Sequence, residues 1–234
     1  MHFRLEENRM SVKTKWNIDF LDGLKRVKTN RVVVLYSSGI DSTATAILLK
    51  EQGYDVFPLF IHYGQSNSEV ESKLADRGAT HLGLNNVQKV DISNLVALCS
   101  SKLTGGEAMS AKEAWLPARN TLFLIFAGIY AQTIDADAIS IGYGTYDNFV
   151  FGDNMLVHHQ LAEVLLTLSL AREIEVVLPI KSMDKAEVID IVRGHNMLDM
   201  TVSCWNAKWQ DGEIIVCNQC ANCVERNTNL AMEG

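Results

Sequence analysis

From about residue 30 onward the apolar positions alternate between short unbroken runs and longer stretches at helical spacing. The run VVVLY (32–36) is continuous and rich in β-branched residues, as a central parallel strand covered on both faces requires. A helix is predicted from about Ser42 to Gln52, closed by Gly53, then a strand through VFPLFIHY and a helix from about Asn67 to His81. Pro58 weakens that second strand, because proline cannot donate to a sheet ladder. VQKVDI, AISIG and EVVLPI read as further strands, and RNTLFLIFAGIYAQTI and MLVHHQLAEVLLTLSLA as long apolar helices. This alternation predicts an α/β fold with a doubly wound parallel sheet over residues 31–234. Residues 1–30 are expected to form an N-terminal extension, with one short amphipathic helix spaced by Ile18, Leu21, Leu24 and Val27.

In such sheets ligands bind beyond the carboxyl ends of the strands. The loops after Tyr36, Tyr63, Gly142 and Pro179 are therefore expected to converge on one site. Two long loops, about 100–116 and 143–154, are candidates for a lid or a specificity wall.

Composition narrows the partners. Of 234 residues, 47% are apolar and 21% charged, which suits a folded globular chain. A formal net charge of −7 disfavours direct nucleic-acid binding and favours a small-molecule substrate. No apolar run reaches the roughly 18 residues of a membrane span, and the start MHFRLEENRM lacks the apolar stretch of a signal peptide. A cytoplasmic location is expected.

The segment LYSSGIDSTA joins the first strand to the first helix through small and hydroxyl residues. Backbone N–H groups at such a turn point outward unsatisfied, and the helix dipole adds positive potential, so the turn suits an anion. Tyr36, Ser37, Ser38, Gly39, Ile40, Asp41, Ser42 and Thr43 make up this candidate nucleotide site, with Ser37, Ser42 and Thr43 as hydroxyl donors. The plainer alternative is that Asp41 or Ser42 only caps a helix.

Four of five cysteines lie between 204 and 223, spaced C-x12-C-x2-C-x2-C. Cys204, Cys217, Cys220 and Cys223 suit a tetrahedral structural zinc, since four sulfurs leave no position open for water. An iron–sulfur cluster is the main rival and two disulfides a remote one. Cys99 stands apart and reads as a small buried hydrophobe.

SSGIDS resembles the SGGxDS loop of the ATP-pyrophosphatase, or PP-loop, enzymes. These cleave ATP between the α and β phosphates and adenylate a substrate oxygen. Ser38 stands where that pattern has its first glycine, and a Cβ there is expected to crowd the pyrophosphate. Taken in order, SSGIDS, HYGQ (62–65), LPARNTLFL (116–124), MDKAE (183–187), SCW (203–205) and CNQCANCVER (217–226) resemble the 7-cyano-7-deazaguanine synthase (QueC) family from about Val32 to Arg226.

The resemblance implies ATP with Mg2+, a zinc held by four cysteines, a homodimer, and 7-carboxy-7-deazaguanine as the small-molecule acid. That acid is adenylated, aminated by ammonia to an amide and activated again to the nitrile. It also implies catalytic roles for Asp41, Ser42, Arg119 and Lys185, with Arg119 and Asn120 lining the site. Asp147 and Asp153 are the candidates for reading the N–H groups of the purine-like ring. Met155 stands where the family pattern has an arginine. The altered 147–155 loop and the 30-residue N-terminal extension resemble diverged relatives in anti-phage defence, which join the same carboxylate to an amine of a partner protein. Another PP-loop enzyme, such as a tRNA thiolase, and a non-catalytic zinc-bearing module stay open as alternatives; acidic charge opposes the first.

Overall fold

A computed structural model describes residues 29–96, 98–99, 101–144 and 151–231. The N-terminal helix expected around Ile18–Val27 lies outside these residues, as does Asp147.

Strand β1 (Arg31–Leu35) leads through a tight turn into α1 (Ile40–Glu51). Next come β2 (Asp55–His62), α2 (Ser68–His81), β3 (Gln88–Asp91) and two single-turn helices, α3 (Ser93–Val96) and α4 (Lys102–Gly105). The long apolar helix is α5 (Arg119–Thr133), followed by β4 (Ala138–Ser140), α6 (Leu156–Leu170), β5 (Glu175–Val177) and α7 (Lys185–Gly194). A two-stranded ribbon, β6 (Lys208–Gln210) with β7 (Glu213–Ile215), precedes the last helix, α8 (Ala221–Ala231).

Strands β1 to β5 form one parallel sheet in the order β3-β2-β1-β4-β5. The strand period of two divides the core cleanly. Val33, Leu35, Leu59, Ile61 and Ile139 face α5 and α6, packing with Leu124, Ala127 and Leu166. Val32, Val34, Val56, Phe60 and Ala138 face the other way, against Ala46 and Leu49 of α1 and Ala75 and Ala79 of α2. Burial on both faces explains why β1 reads as an unbroken apolar run.

Pro58 does lie within β2. The Leu59 carbonyl accepts from the Tyr36 N–H on the β1 side, so by alternation the Pro58 nitrogen faces β3. Pairing with β3 starts only at Leu59–Gln88, and the missing donor interrupts no ladder.

Strand order reverses between β1 and β4, where chains leave in opposite directions and a crevice opens at their carboxyl ends. Gly142, just past β4, fixes how closely the two ends approach. A Cβ there would meet the Ser42 nitrogen at 2.8 Å and the Asp41 carbonyl carbon at 2.9 Å. Only glycine lets the β4 backbone pack directly on the turn after β1.

Candidate active site

The crevice deepens into a cavity of about 580 Å³ lined from the loops after β1, β2 and β4, as expected of this sheet. The loop after β5 arrives only through Lys185, and Pro179 is not part of the wall. Both long loops contribute, with Ala111 and Ala114 from one and Tyr143, Phe151 and Asn154 from the other. Trp115 and Phe151 stack at 6.3 Å, joining the two.

Helix α1 begins at Ile40, and no side chain caps it. The capping reading of Asp41 and Ser42 is thereby excluded, and the first helical bond is Thr43 N–H to the Gly39 carbonyl (3.0 Å). Tyr36, Ser37, Gly39, Ile40, Asp41 and Ser42 all border the cavity. The Ser37 and Ser42 hydroxyls lie 3.4 Å apart, and Ser42 donates to the Gly39 carbonyl at 3.0 Å.

Two loop residues do not reach the wall. Thr43 is fully buried, so its expected donor role finds no access to the cavity. Ser38 is also fully buried and adopts φ +58°, the conformation that favours glycine. Its hydroxyl turns away from the cavity, within hydrogen-bond reach of the Ser37 carbonyl (2.5 Å) and the Glu71 carbonyl (3.2 Å), and its own carbonyl accepts from Val202 (3.0 Å). The side chain is therefore not part of the cavity wall, and the departure from glycine carries backbone strain that these contacts offset.

Lys185 opens α7, and its Nζ donates to both Asp41 carboxylate oxygens at 3.0 and 3.1 Å, with Glu225 at 3.4 Å. The acids of MDKAE have a local task. Asp184 accepts from the Glu187 N–H and Glu187 accepts from the Asp184 N–H, a capping box that holds Lys185 at the first helical position.

Ala118, at φ +56°, turns the chain into α5 and delivers Arg119 and Asn120. The Arg119 guanidinium lies over Tyr63 and Phe123, 5.8 and 6.0 Å from their ring centres. Asn120 borders the cavity but also holds the 152–154 turn, its Nδ2 donating to Asn154 Oδ1 at 2.5 Å. Asp153 does not line the cavity; its carboxylate accepts from the Asn120 backbone N–H at 3.1 Å and secures the start of α5. Met155 is exposed and outside the wall.

The four clustered cysteines converge, with all Sγ atoms within 4.8 Å of one another. The Cys217 N–H donates to Cys204 Sγ and the Cys220 N–H to Cys217 Sγ, both at 3.3 Å. Burial pushes the Cys204 thiol up to about 11. At Cys217 burial also works upward, but N–H groups of Gln219 and Cys220 bring the thiol down to about 6. Such a donor set can hold a metal ion. Flanking residues Val202, Ser203, Trp205 and Asn222 form one side of the cavity, so the cysteine segment shapes the site without placing sulfur in it. Cys99 is only half-buried.

Two wall residues carry no signal in the motifs. His159 on α6 is buried with neither ring nitrogen hydrogen-bonded, and burial takes it down to about 4, so it is a neutral imidazole. Glu71, near the start of α2, accepts from Gln65 and Asn67 at 3.0 Å each. Burial lifts its carboxyl to about 7, against the pull of those two amides and of Arg119.

The family described as "Queuosine biosynthesis protein QueC" matches residues 31–234. The chain belongs to the QueC family. Its members include the 7-cyano-7-deazaguanine synthase of Pyrococcus furiosus, 27% identical over 220 residues, with 86% of this chain and 92% of that protein covered. The corresponding synthase of Methanospirillum hungatei is 31% identical over 206 residues, with 82% and 91% covered. This is a family of ATP-dependent, ligase-type enzymes of the PP-loop superfamily.

Solved structures share the fold. A predicted tRNA methyltransferase subunit from Methanocaldococcus jannaschii superposes with TM-score 0.50 at 19% identity, over 70% of this chain and 74% of that one. A 4-thiouridine synthetase in complex with RNA and ATP gives TM-score 0.52 at 15% identity, over 86% and 50%. None of the helices among the described residues is long and apolar enough to cross a membrane.

Glu71 makes stability depend on pH. Its folded value, about 7, lies above the ordinary 4.5, so it favours the fold fully below pH 4.5 and loses that contribution as pH rises through 7. Carbon NMR of the labelled side chain should show a midpoint near 7, and thermal stability should fall between pH 4.5 and 7; a midpoint near 4.5 would contradict the burial described.

Proposed function

We propose that residues 31–234 form one catalytic domain that uses ATP to adenylate the carboxylate of 7-carboxy-7-deazaguanine and passes the acyl group to ammonia, giving the amide and then 7-cyano-7-deazaguanine. The observation that carries this reading is the uncapped turn at Ser37–Ser42, facing the same cavity as Arg119 and Lys185. A carboxylate oxygen of the acid attacks the α-phosphorus, and the bond to pyrophosphate breaks. Helix N–H groups and the Ser37 and Ser42 hydroxyls hold the phosphates. Lys185 and Arg119 neutralise charge that builds on the leaving group. Asp41, whose carboxylate borders the cavity and accepts from Lys185, would hold the Mg2+ that accompanies ATP.

Ammonia then attacks the acyl carbon and AMP leaves. In the second round the amide oxygen attacks a new ATP, and loss of AMP with two protons leaves the nitrile. Transfer to a protein amine would start from the same adenylate. Of the altered 147–155 loop that suggested it, Phe151 and Asn154 line the cavity and Met155 stands outside the wall.

The cysteines fit zinc. A tetrahedron with Zn–S bonds of about 2.3 Å has S···S edges near ~3.8 Å, and Cys204–Cys217 and Cys217–Cys223 measure 3.5 and 3.9 Å. A multi-iron cluster needs wider spacing. Bound thiolates also fit the cytoplasm, a reducing compartment.

A homodimer is supported by α6, where Val157, Leu161, Leu165 and Leu168 form an exposed apolar stripe beside Ile129 of α5. One helix face packed on its copy makes an isologous interface.

Three measurements check these readings. Pyrophosphate and AMP should form when ATP and 7-carboxy-7-deazaguanine are both present, not with guanine, and Asp41→Ala or Lys185→Ala should lower the rate about 100-fold or more; release of ADP and phosphate would refute adenylation. Metal analysis should find about one zinc per chain, and Cys220→Ala should lower the melting temperature together with zinc content; iron with sulfide would reverse the assignment. Sedimentation should give twice the chain mass and, for Leu161→Glu with Leu165→Glu, the single mass; an unaltered dimer in that variant would place the interface elsewhere.

A further inference from the structure

Of the acids that line the cavity, Asp41 and Glu225 both meet Lys185, and the adenylation half of the reaction leaves Glu71 without a task. Glu71 reaches the wall between Gln65 and Asn67, its Oε2 accepting from Gln65 Nε2 and its Oε1 from Asn67 Nδ2. Each oxygen keeps a free lone-pair direction. The clamp itself is fixed. Gln65 Oε1 accepts from the Tyr63 N–H at 2.8 Å, its Nε2 donates to the Ile61 carbonyl at 3.2 Å, and Asn67 Nδ2 donates to the Cys204 carbonyl at 3.0 Å. The bond from Ser38 to the Glu71 carbonyl ties this turn of α2 directly to the phosphate turn. The acid therefore keeps a set position relative to that turn.

Aminolysis needs what the phosphate turn lacks. Ammonia in neutral water is chiefly ammonium, whose nitrogen lone pair is occupied by a proton, so a base must remove it before attack. An ordinary carboxylate is a poor base for this, whereas one that titrates near 7 matches the task. Arg119 acts electrostatically on Glu71 and sits over the neighbouring Tyr63 ring. Its positive charge pulls the Glu71 carboxyl downward, and burial outweighs that pull.

We propose that Glu71 is the catalytic base of the amination step, binding ammonium at its carboxylate and releasing ammonia toward the acyl adenylate. One N–H bond of ammonium breaks and a Glu71 O–H bond forms. The freed pair makes the C–N bond, the C–O bond to AMP breaks with its pair leaving on the phosphate oxygen, and a second proton passes from nitrogen to water. Nothing is oxidised or reduced. This inference rests on the adenylation reading above. The rival use of the same carboxylate is to accept N–H groups of the heterocycle.

The two half-reactions separate these uses. The full chain, unaltered and as Glu71→Gln, is assayed for ATP–pyrophosphate exchange with 7-carboxy-7-deazaguanine and for ammonium-dependent amide formation. Exchange should persist in Glu71→Gln with unchanged KM for the acid, while amide formation falls about 100- to 10,000-fold. Hydroxylamine, neutral at pH 7, should restore product formation, and Glu71→Asp should recover part of the ammonium-dependent rate. A raised KM for the acid in exchange, or exchange lost along with amination, would overturn the base role. Unchanged amination in Glu71→Gln would overturn it alone. No exchange by the unaltered enzyme would overturn the adenylation reading and this one with it.

Discussion

Everything in the site hangs on one turn, where the chain leaves β1 and starts α1 with its N-terminal amides uncapped. N–H groups at a helix start with no side-chain cap are costly unless water or an anion satisfies them. The fold holds this turn in place. Gly142 presses on it from β4, Ser38 ties it to α2 and to Val202, and Lys185 grips Asp41 from α7. Four segments distant in sequence thus fix one short peptide.

That arrangement divides the cavity by source. On the β2 side lie Gln65, Asn67 and Glu71, a carboxylate clamped by amides. On the β4 side lie Tyr143, Asn154 and the neutral His159. The cysteine segment closes a further wall and anchors Asn67 through the Cys204 carbonyl. A metal held there would stiffen the wall and, through Asn67, the acid that the amination step requires. The Asn67 amide links the two, donating one hydrogen bond to the Cys204 carbonyl and another to Glu71.

Local features were readable in the sequence because their physics is local. The valine run of β1, the small-residue turn and the cysteine spacing each require only neighbours along the chain, and the structure brings them where expected. Residues whose meaning depends on distant partners were not readable. Asp153 and Asn120 looked like substrate contacts, yet much of their bonding holds the 152–154 turn against α5. Ser38 looked obstructive because its direction could not be known until α2 was in place. Glu71 is one of several acids in a charged helical turn, and His159 sits inside an apolar helix pattern; burial alone distinguishes them. The two acids of MDKAE followed a capping-box rule that the sequence did contain.

In the proposed reaction a carboxylate oxygen of the acid attacks the α-phosphorus of ATP in this cavity. Supplying the acid with ¹⁸O in its carboxylate tests it directly. Adenylation followed by amination must leave one ¹⁸O on the phosphate of the recovered AMP, readable by mass spectrometry. Unlabelled AMP, or ¹⁸O recovered in inorganic phosphate, would contradict the account.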